Sequence, residues 1–255
     1  MVNFVGAGSG AVDLITVRGL KLVQEADVII YAGSLVNPEI LQECKAGCEI
    51  YNSAKMTLEE VIGKMETAEA EGKKIVRLHT GDPCLYGAIR EQMDILEEKN
   101  IQYAVCPGVS SFCGAAAALQ LEYTLPNVSQ SVVITRVAGR TKVPEMESIR
   151  KWAVHKATMV IFLSIGLLKQ VEEELIAGGY DKNTPAAIVY KATWPEEKLF
   201  YCTVSTLAET AEQNQITKTG LVVVGDVLNG QYERSKLYDP AFTTGFRTGR
   251  NSTEE

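Results

Sequence analysis

Apolar positions in the first half of the chain follow two rhythms in turn: short continuous runs, then stretches where apolar residues recur every three or four positions. This is the pattern of strands feeding helices. Val2-Asn3-Phe4-Val5 is the first run; it enters the turn Gly6-Ala7-Gly8-Ser9-Gly10, after which Leu14, Val17, Leu20, Leu22 and Val23 mark one helix face. Asp27-Val28-Ile29-Ile30-Tyr31 reads as a second strand, stopped by Ala32-Gly33-Ser34. Thr57-Leu58-Glu59-Glu60 has the form of a capping box, and Leu58, Val61, Ile62, Met65 and Ala68 follow at helical spacing up to Gly72. Ile75-Val76-Arg77-Leu78 predicts a third strand that feeds Thr80-Gly81-Asp82-Pro83, before a helix marked by Ile89, Met93 and Leu96. Tyr103-Ala104-Val105 then leads into Cys106-Pro107-Gly108-Val109-Ser110-Ser111 and an alanine-rich segment over 115–118. Such alternation predicts a mostly parallel sheet covered on both faces, with ligands beyond the carboxyl ends of its strands.

Residues 122–130, with Pro126 and Asn127, lack periodicity and predict a linker. Beyond it the pattern gives strands at 131–135, 158–163, 186–190, 199–204 and 221–224, and helices near 145–154 and 167–177. Trp194-Pro195-Glu196-Glu197 reads as a hairpin turn, which makes this second sheet mixed. The expectation is therefore an α/β protein with an N-terminal domain over 1–120, a C-terminal domain over 121–235 and a polar tail over 236–255.

Composition narrows the class. With 46% hydrophobic and 22% charged residues among 255, and a mean hydropathy of zero, disordered and fibrous classes are excluded. Apolar runs such as 159–163 stop far short of the roughly 18 residues of a membrane span, so a soluble, cytoplasmic chain is expected. The net charge of −7 gives no global positive field to gather nucleic acid or an anionic membrane. Six cysteines without a C-x-x-C pair, and only His79 and His155, predict reduced thiols and no protein-bound metal.

Three glycine-bearing turns carry the candidate chemistry. Gly6-x-Gly8-x-x-Ala11 has the spacing of a dinucleotide fingerprint. Such sites also want an acidic residue at the end of strand two, where this chain has Tyr31-Ala32-Gly33-Ser34. A nicotinamide-dependent oxidoreductase and a plain βα turn both stay open on these glycines. Thr80-Gly81-Asp82-Pro83 and Pro107-Gly108-Val109-Ser110-Ser111 could each be only a turn, but three such loops at one sheet edge point to a site. Arg136-Val137-Ala138-Gly139-Arg140-Thr141-Lys142 is either a solvated loop or a clamp for carboxylates. Lys191 and Trp194 offer a charge and a flat apolar wall, although Trp194 fits a core equally well. His79 and His155 read as structural, and Cys84 has no base near it in sequence.

Phe4-Val5-Gly6-Ala7-Gly8-Ser9-Gly10, Asp13-Leu14-Ile15-Thr16-Val17-Arg18-Gly19, Ala26-Asp27-Val28-Ile29-Ile30-Tyr31, Gly81-Asp82-Pro83 and Pro107-Gly108-Val109-Ser110-Ser111 together resemble the tetrapyrrole methylases. The stretch from Tyr31 to Glu39, Thr135-Arg136 with Gly139-Arg140-Thr141, and Tyr190-Lys191-Ala192-Thr193-Trp194-Pro195 look like the branch that methylates C11 of precorrin-4. The resemblance implies a homodimer of two-domain subunits that bind S-adenosylmethionine in the cleft between domains, with precorrin-4 or its cobalt complex as substrate in cobalamin biosynthesis. It implies cofactor contacts from Thr80, Gly81, Asp82, Leu85, Ser110, Ser111, Leu163, Ala192, Thr219 and Gly220. Asp82, Tyr31 and Ser34 would be the catalytic set, and Gly8, Tyr86, Arg136, Arg140, Lys191 and Trp194 would hold the tetrapyrrole. Methylation at another ring position is the alternative within the family. The family's first turn usually reads Gly-Pro-Gly-Asp-Pro, whereas Ser9, Ala11 and Val12 stand here for Pro, Asp and Pro. That lost carboxylate keeps a ligand-binding homologue without turnover as a further reading, although Asp13 survives beside it.

Overall fold

The computed structural model describes residues 1–33 and 35–250. They form two compact units, Met1–Leu119 with Val189–Leu199, and Gln120–Ile188 with the described chain from Phe200 onward.

The first unit is built on β1 (Val2–Gly6), β2 (Val28–Tyr31), β3 (Glu49–Asn52), β4 (Ile75–His79) and β5 (Tyr103–Cys106), in the order β3-β2-β4-β1-β5. All neighbours are parallel, with Val2 level with Ile75 and Tyr103, and Val28 level with Ile75 and Glu49. The period-2 alternation of each strand sorts its side chains onto two faces. Val5, Ile29, Val76 and Leu78 pack with Val23 of helix α1 (Val17–Glu25) and with Ile40. Phe4, Val28, Ile30 and Ile75 pack on the other face with Val61, Ile62 and Met65 of α2 (Leu58–Ala70) and Leu96 of α3 (Arg90–Glu98). Each such fully buried aliphatic side chain contributes about 1.5–3 kcal/mol. The capping box of α2 forms as expected, with Glu60 N–H on Thr57 Oγ1 at 3.3 Å and Thr57 N–H on Glu60 Oε2 at 2.7 Å.

Two details depart from the sequence pattern. The hydrophobic pattern does not predict β3, because Glu49-Ile50-Tyr51-Asn52 is an edge strand with two exposed positions and little apolar signal. Nor does α1 begin at the glycine turn: a 3₁₀ turn over Val12–Leu14 intervenes, and Thr16 caps the helix by accepting from Gly19 N–H at 3.1 Å.

Strand order also fixes where a ligand belongs. The chain leaves β1 toward β2 and leaves β4 toward β5, in opposite directions from two adjacent strands. The crevice beyond the carboxyl ends of β1 and β4 is thus the topological switch point.

In the second unit β6 (Val132–Arg136), β7 (Thr158–Phe162), β8 (Pro185–Tyr190), β9 (Lys198–Thr203) and β10 (Gly220–Val224) take the order β6-β7-β10-β8-β9. β6 runs parallel to β7 and β10 antiparallel to it, so the sheet is mixed. The helix expected near 145–154 splits into a 3₁₀ turn, Glu145–Glu147, and α5 (Ile149–Ala153), because Ser148 between them is extended. α4 (Ser111–Ala118) follows β5 in the first unit; α6 (Leu168–Ala177) and the unanticipated α7 (Leu207–Gln213) complete the helices. Buried Glu172 links the last two, accepting Ala208 N–H at the start of α7 at 2.8 Å and Lys169 Nζ at 2.8 Å. Among the described residues no helix is long and apolar enough to cross a membrane.

Candidate active site

At the switch point three turns from three separate strands touch through their backbones. Gly8 and Gly81 form an isolated antiparallel bridge, with Gly81 N–H on Gly8 C=O at 2.8 Å. A Cβ on Gly6 would lie 2.5 Å from Gly81 O and 2.7 Å from Gly108 Cα, and one on Gly108 would lie 2.2 Å from Gly81 O. Only glycine permits this approach. Gly81 in addition has φ of +60°, and its missing side chain leaves room against Ser110 and Ser111.

Asp82 fastens the arrangement. Its Oδ1 accepts Cys84 N–H at 2.8 Å and its Oδ2 accepts Gly108 N–H at 2.9 Å, so one carboxylate holds the β4 turn closed and ties it to the β5 turn. Burial works to raise its pKa, but the hydrogen bonds from Cys84 and Gly108 outweigh that and hold it below the usual carboxylate range. The expected catalytic Asp82 is therefore an ionised tie between turns. Ser110, buried at the start of α4, makes no capping bond with its side chain. Together the turns at 6–12, 80–89 and 106–112 carry one carboxylate and no Lys or Arg. Such a surface suits a cation and neutral polar groups and offers a phosphate no cationic side chain to pair with.

The first turn has a second neighbour in the same unit. Ser9 Oγ and Thr193 Oγ1 are hydrogen bonded at 2.9 Å, and Ala11 N–H donates to Thr193 Oγ1 at 3.1 Å. Asn37 Nδ2 donates to Gly10 C=O at 3.0 Å, and the Trp194 ring occupies the space a Cβ on Gly10 would need. Ser9, which stands where the family has Pro, is thus a buried partner of the 191–197 strap. Lys191, Ala192 and Trp194 sit on this strap; the Lys191 ammonium lies 5.0 Å from the Trp194 ring and 3.3 Å from Glu196. Sequence pattern alone missed Thr193 and Asn37, whose roles exist only once the strap folds against the turn. A cavity of about 690 Å³ opens beside them, lined in part by Val12, Ile15, Trp194 and Pro195 and rimmed by Asp13, Glu39 and Glu43. Its acidic rim is ill suited to a carboxylate-rich ligand.

Tyr31 ends β2 half-buried, its carbonyl accepting Ser53 Oγ at 3.1 Å. The other expected catalytic residue on that loop, Ser34, lies outside the described residues. Leu85 and Tyr86 follow Asp82 on the 83–89 loop, where Tyr86 is exposed and has φ of +55°.

In the second unit, β6 and β7 end level, with Arg136 beside Phe162. The antiparallel pairing of Val222 with Ile161, continued two residues, sets Gly220 opposite Leu163. Leu163, Thr219, Gly220 and Arg136 therefore share one sheet edge; Leu163 and Thr219 are both left-handed, and Leu163 is exposed. Buried Ser164 joins two of these loops, accepting Val137 N–H at 3.0 Å and donating to Phe162 C=O at 2.6 Å. The Arg136 guanidinium does not project as a clamp: Nη1 donates to Thr141 C=O at 3.2 Å and Nη2 to Lys142 C=O at 2.8 Å. It shapes the loop on which Arg140 and Lys142 are exposed.

The dinucleotide reading fails on geometry. The first glycine turn does not open onto a helix N-terminus, and no acidic side chain stands at the end of β2. Among the described residues no three His, Cys, Asp or Glu side chains are grouped to hold a metal ion.

Known proteins share this fold and much of this sequence. The model of the Tetrapyrrole (Corrin/Porphyrin) Methylases matches residues 1–208. The chain is 52% identical over 247 residues to a cobalt-precorrin-4 C(11)-methyltransferase of Methanocaldococcus jannaschii, covering 96% of this chain and 95% of that protein. Its fold superimposes on the X-ray structure of a cobalamin biosynthetic enzyme, cobalt precorrin-4 methyltransferase, with a TM-score of 0.87 and 46% identity, covering 89% and 95% of the two chains. The uroporphyrin-III C-methyltransferase of Thermus thermophilus complexed with S-adenyl homocysteine shares the fold, with a TM-score of 0.74 and 24% identity over 91% and 95% of the chains.

Proposed function

The chain belongs to the tetrapyrrole (corrin/porphyrin) methylases, and from that membership we propose that it transfers a methyl group from S-adenosylmethionine to C11 of cobalt-precorrin-4 in cobalamin biosynthesis. The observation that carries the reading is the 52% identity to a cobalt-precorrin-4 C(11)-methyltransferase across 96% of the chain, which takes in the loops of both units. Neither methylation at another ring position nor nicotinamide chemistry is favoured by such relatives.

The turns fit this donor. When bound, S-adenosylmethionine supplies an electrophilic methyl on a positively charged sulfur. Thr80, Gly81, Leu85, Ser110 and Ser111 would contact it from the first unit with Ala192 of the strap, and Leu163, Thr219 and Gly220 from the second. Asp82 keeps the turns in register and adds a negative charge that favours a cation. Because the donor is already activated, the protein's main task is alignment, for which well-oriented reactants gain about 7–11 kcal/mol. The acceptor's carboxylates would meet Arg140, Lys142 and Lys191, with Arg136 shaping the first two, while Gly8, Tyr31, Tyr86 and Trp194 present surface to the macrocycle. The reading includes a homodimer working in the cytoplasm, which the family resemblance supports.

Incubation with methyl-labelled S-adenosylmethionine and precorrin-4, with and without cobalt, tests the reaction. A single labelled methyl at C11, formed faster on the cobalt complex, is expected. Labelling at another carbon, or none while the donor is bound, refutes it.

A further inference from the structure

Directly beneath the β4 turn lies a buried polar cluster that no part of the proposed methyl transfer uses. Arg77, in the centre of the central strand β4, is 7% exposed, and Gln92 of α3 is 4% exposed. Among the described residues no carboxylate pairs with Arg77. Its Nε donates to Gln92 Oε1 at 3.1 Å and its Nη1 to Ile30 C=O at 3.1 Å. Burial pulls the guanidinium's pKa down to about 10, a measure of how poorly this position is compensated. A buried cation without a counter-ion is a costly choice when an apolar side chain would fill the same space.

What the arrangement gives in return is visible at the other end of Gln92. Its Nε2 donates to Ala88 C=O at 2.8 Å. Ala88 has φ of +49° and Tyr86 φ of +55°, so the loop that follows Asp82 holds two non-glycine residues in the left-handed region. Each such residue is strained and persists only where its surroundings over-determine it. Gly87 between them is pressed against Pro83, whose carbonyl oxygen would lie 2.2 Å from a Cβ.

We propose that Arg77 and Gln92 are positioning residues: Arg77 fixes the Gln92 side-chain amide, and Gln92 in turn locks the strained 83–89 loop so that Leu85 and Tyr86 are held ready for ligand. The direction of the relay follows from hydrogen-bond chemistry. An amide has one acceptor and one donor end, and the Arg77 guanidinium, which can only donate, claims the acceptor end and leaves the donor end for Ala88. That Leu85 and Tyr86 face the methyl donor and acceptor rests on the function proposed above; that the relay locks the loop does not.

Gln92→Glu separates the two links, since a carboxylate still accepts from Arg77 and supplies its missing counter-charge but has no donor for Ala88. Hydrogen exchange without ligand is read first: amides of residues 84–89 should exchange faster than in the parent while those of β1 and β4 are unchanged. S-adenosylhomocysteine should then bind about five- to tenfold more weakly, with KM for the donor raised more than kcat is lowered. Should Gln92→Glu fail to fold, Arg77→Met with Gln92→Leu replaces the cluster by apolar groups of similar size and should show the same loosening. Unchanged exchange over 84–89 in a folded variant overturns the relay whatever the ligand does, as does a uniform loss of stability without selective change in that loop. Faster exchange with unchanged ligand affinity overturns its functional part. A parent that binds no S-adenosylhomocysteine at all refutes the proposed function instead, and leaves the exchange result to decide the relay.

Discussion

The two regions richest in chemistry, the glycine turns of the first unit and the 136–142 loop of the second, have opposite structures. At the switch point of the first sheet, the turns after β1, β4 and β5 interlock through glycine backbones and the two oxygens of Asp82. At the edge of the second sheet, the 136–142 loop is organised from within, by the guanidinium of Arg136 bonding to carbonyls of its own segment. The first is a place where separate strands are forced into contact; the second is one loop satisfying itself. Close backbone approach demands glycine and so leaves a mark in the sequence. An arginine has many acceptors to choose from, and its residue type does not say which it takes.

Substitutions should expose this difference in graded steps. Gly108→Ala should be the most damaging, since its Cβ would meet backbone atoms of two other turns that cannot rotate away. A loss of at least about 3 kcal/mol in chemical denaturation is expected, and a loss below about 1 kcal/mol would show that the turns are not interlocked. Next, Asp82→Asn replaces one acceptor by a donor opposite an N–H group and should cost about 2 kcal/mol, with weaker S-adenosylhomocysteine binding measured by calorimetry.

A pH series sharpens the first half of the comparison. His79 ends β4 directly beneath the turn, and its Nε2 is buried with no hydrogen-bond partner among the described residues. Burial first, and the Arg77 charge second, push its pKa down to about 3. The unfolded chain takes up this proton near pH 6.5 while the folded one does not, so the contribution is fully present above pH 6.5 and is lost as pH falls toward 3. The slope is about 1.4 kcal/mol per pH unit across that window. Urea titrations at pH 7.5, 6.0 and 5.0 should show His79→Leu losing less stability on acidification than the parent; parallel curves would contradict a buried neutral imidazole.

The mildest effect is expected in the second unit. Arg136→Ala should cost about 1 kcal/mol or less, confined to faster amide exchange over 137–142. If the residue instead grips substrate directly, Arg136→Ala and Arg140→Ala would raise the tetrapyrrole KM equally, whereas loop shaping predicts that Arg140→Ala acts on KM with no effect on exchange.

Most strands and the glycine turns were legible because burial and backbone approach restrict residue choice strongly. β3 was not, since an edge strand with exposed Glu49 and Ile50 needs little apolar pattern. The 191–197 strap does join the neighbouring strands β8 and β9, as a hairpin connection should, but nothing local in Thr193-Trp194 announces that Thr193 bonds Ser9 and that Trp194 covers Gly10. Ser9 itself, which reads as a loss beside the family's Pro, gains meaning only from that partner. Arg77 does carry a signal in the sequence. A lone cation within Ile75-Val76-Arg77-Leu78, flanked directly by Val76 and Leu78 in a sheet covered on both faces, must be buried and must have a partner.

The central claim is that the turns after β4 and β5, interlocked with the turn after β1, hold the methyl donor, and a crystal structure with S-adenosylhomocysteine tests it most directly. The account predicts the ligand against the backbone of 80–82 and 110–111, close to Leu85. Ligand seated instead in the acid-rimmed cavity beside Val12 and Trp194, with the turns untouched, would contradict it.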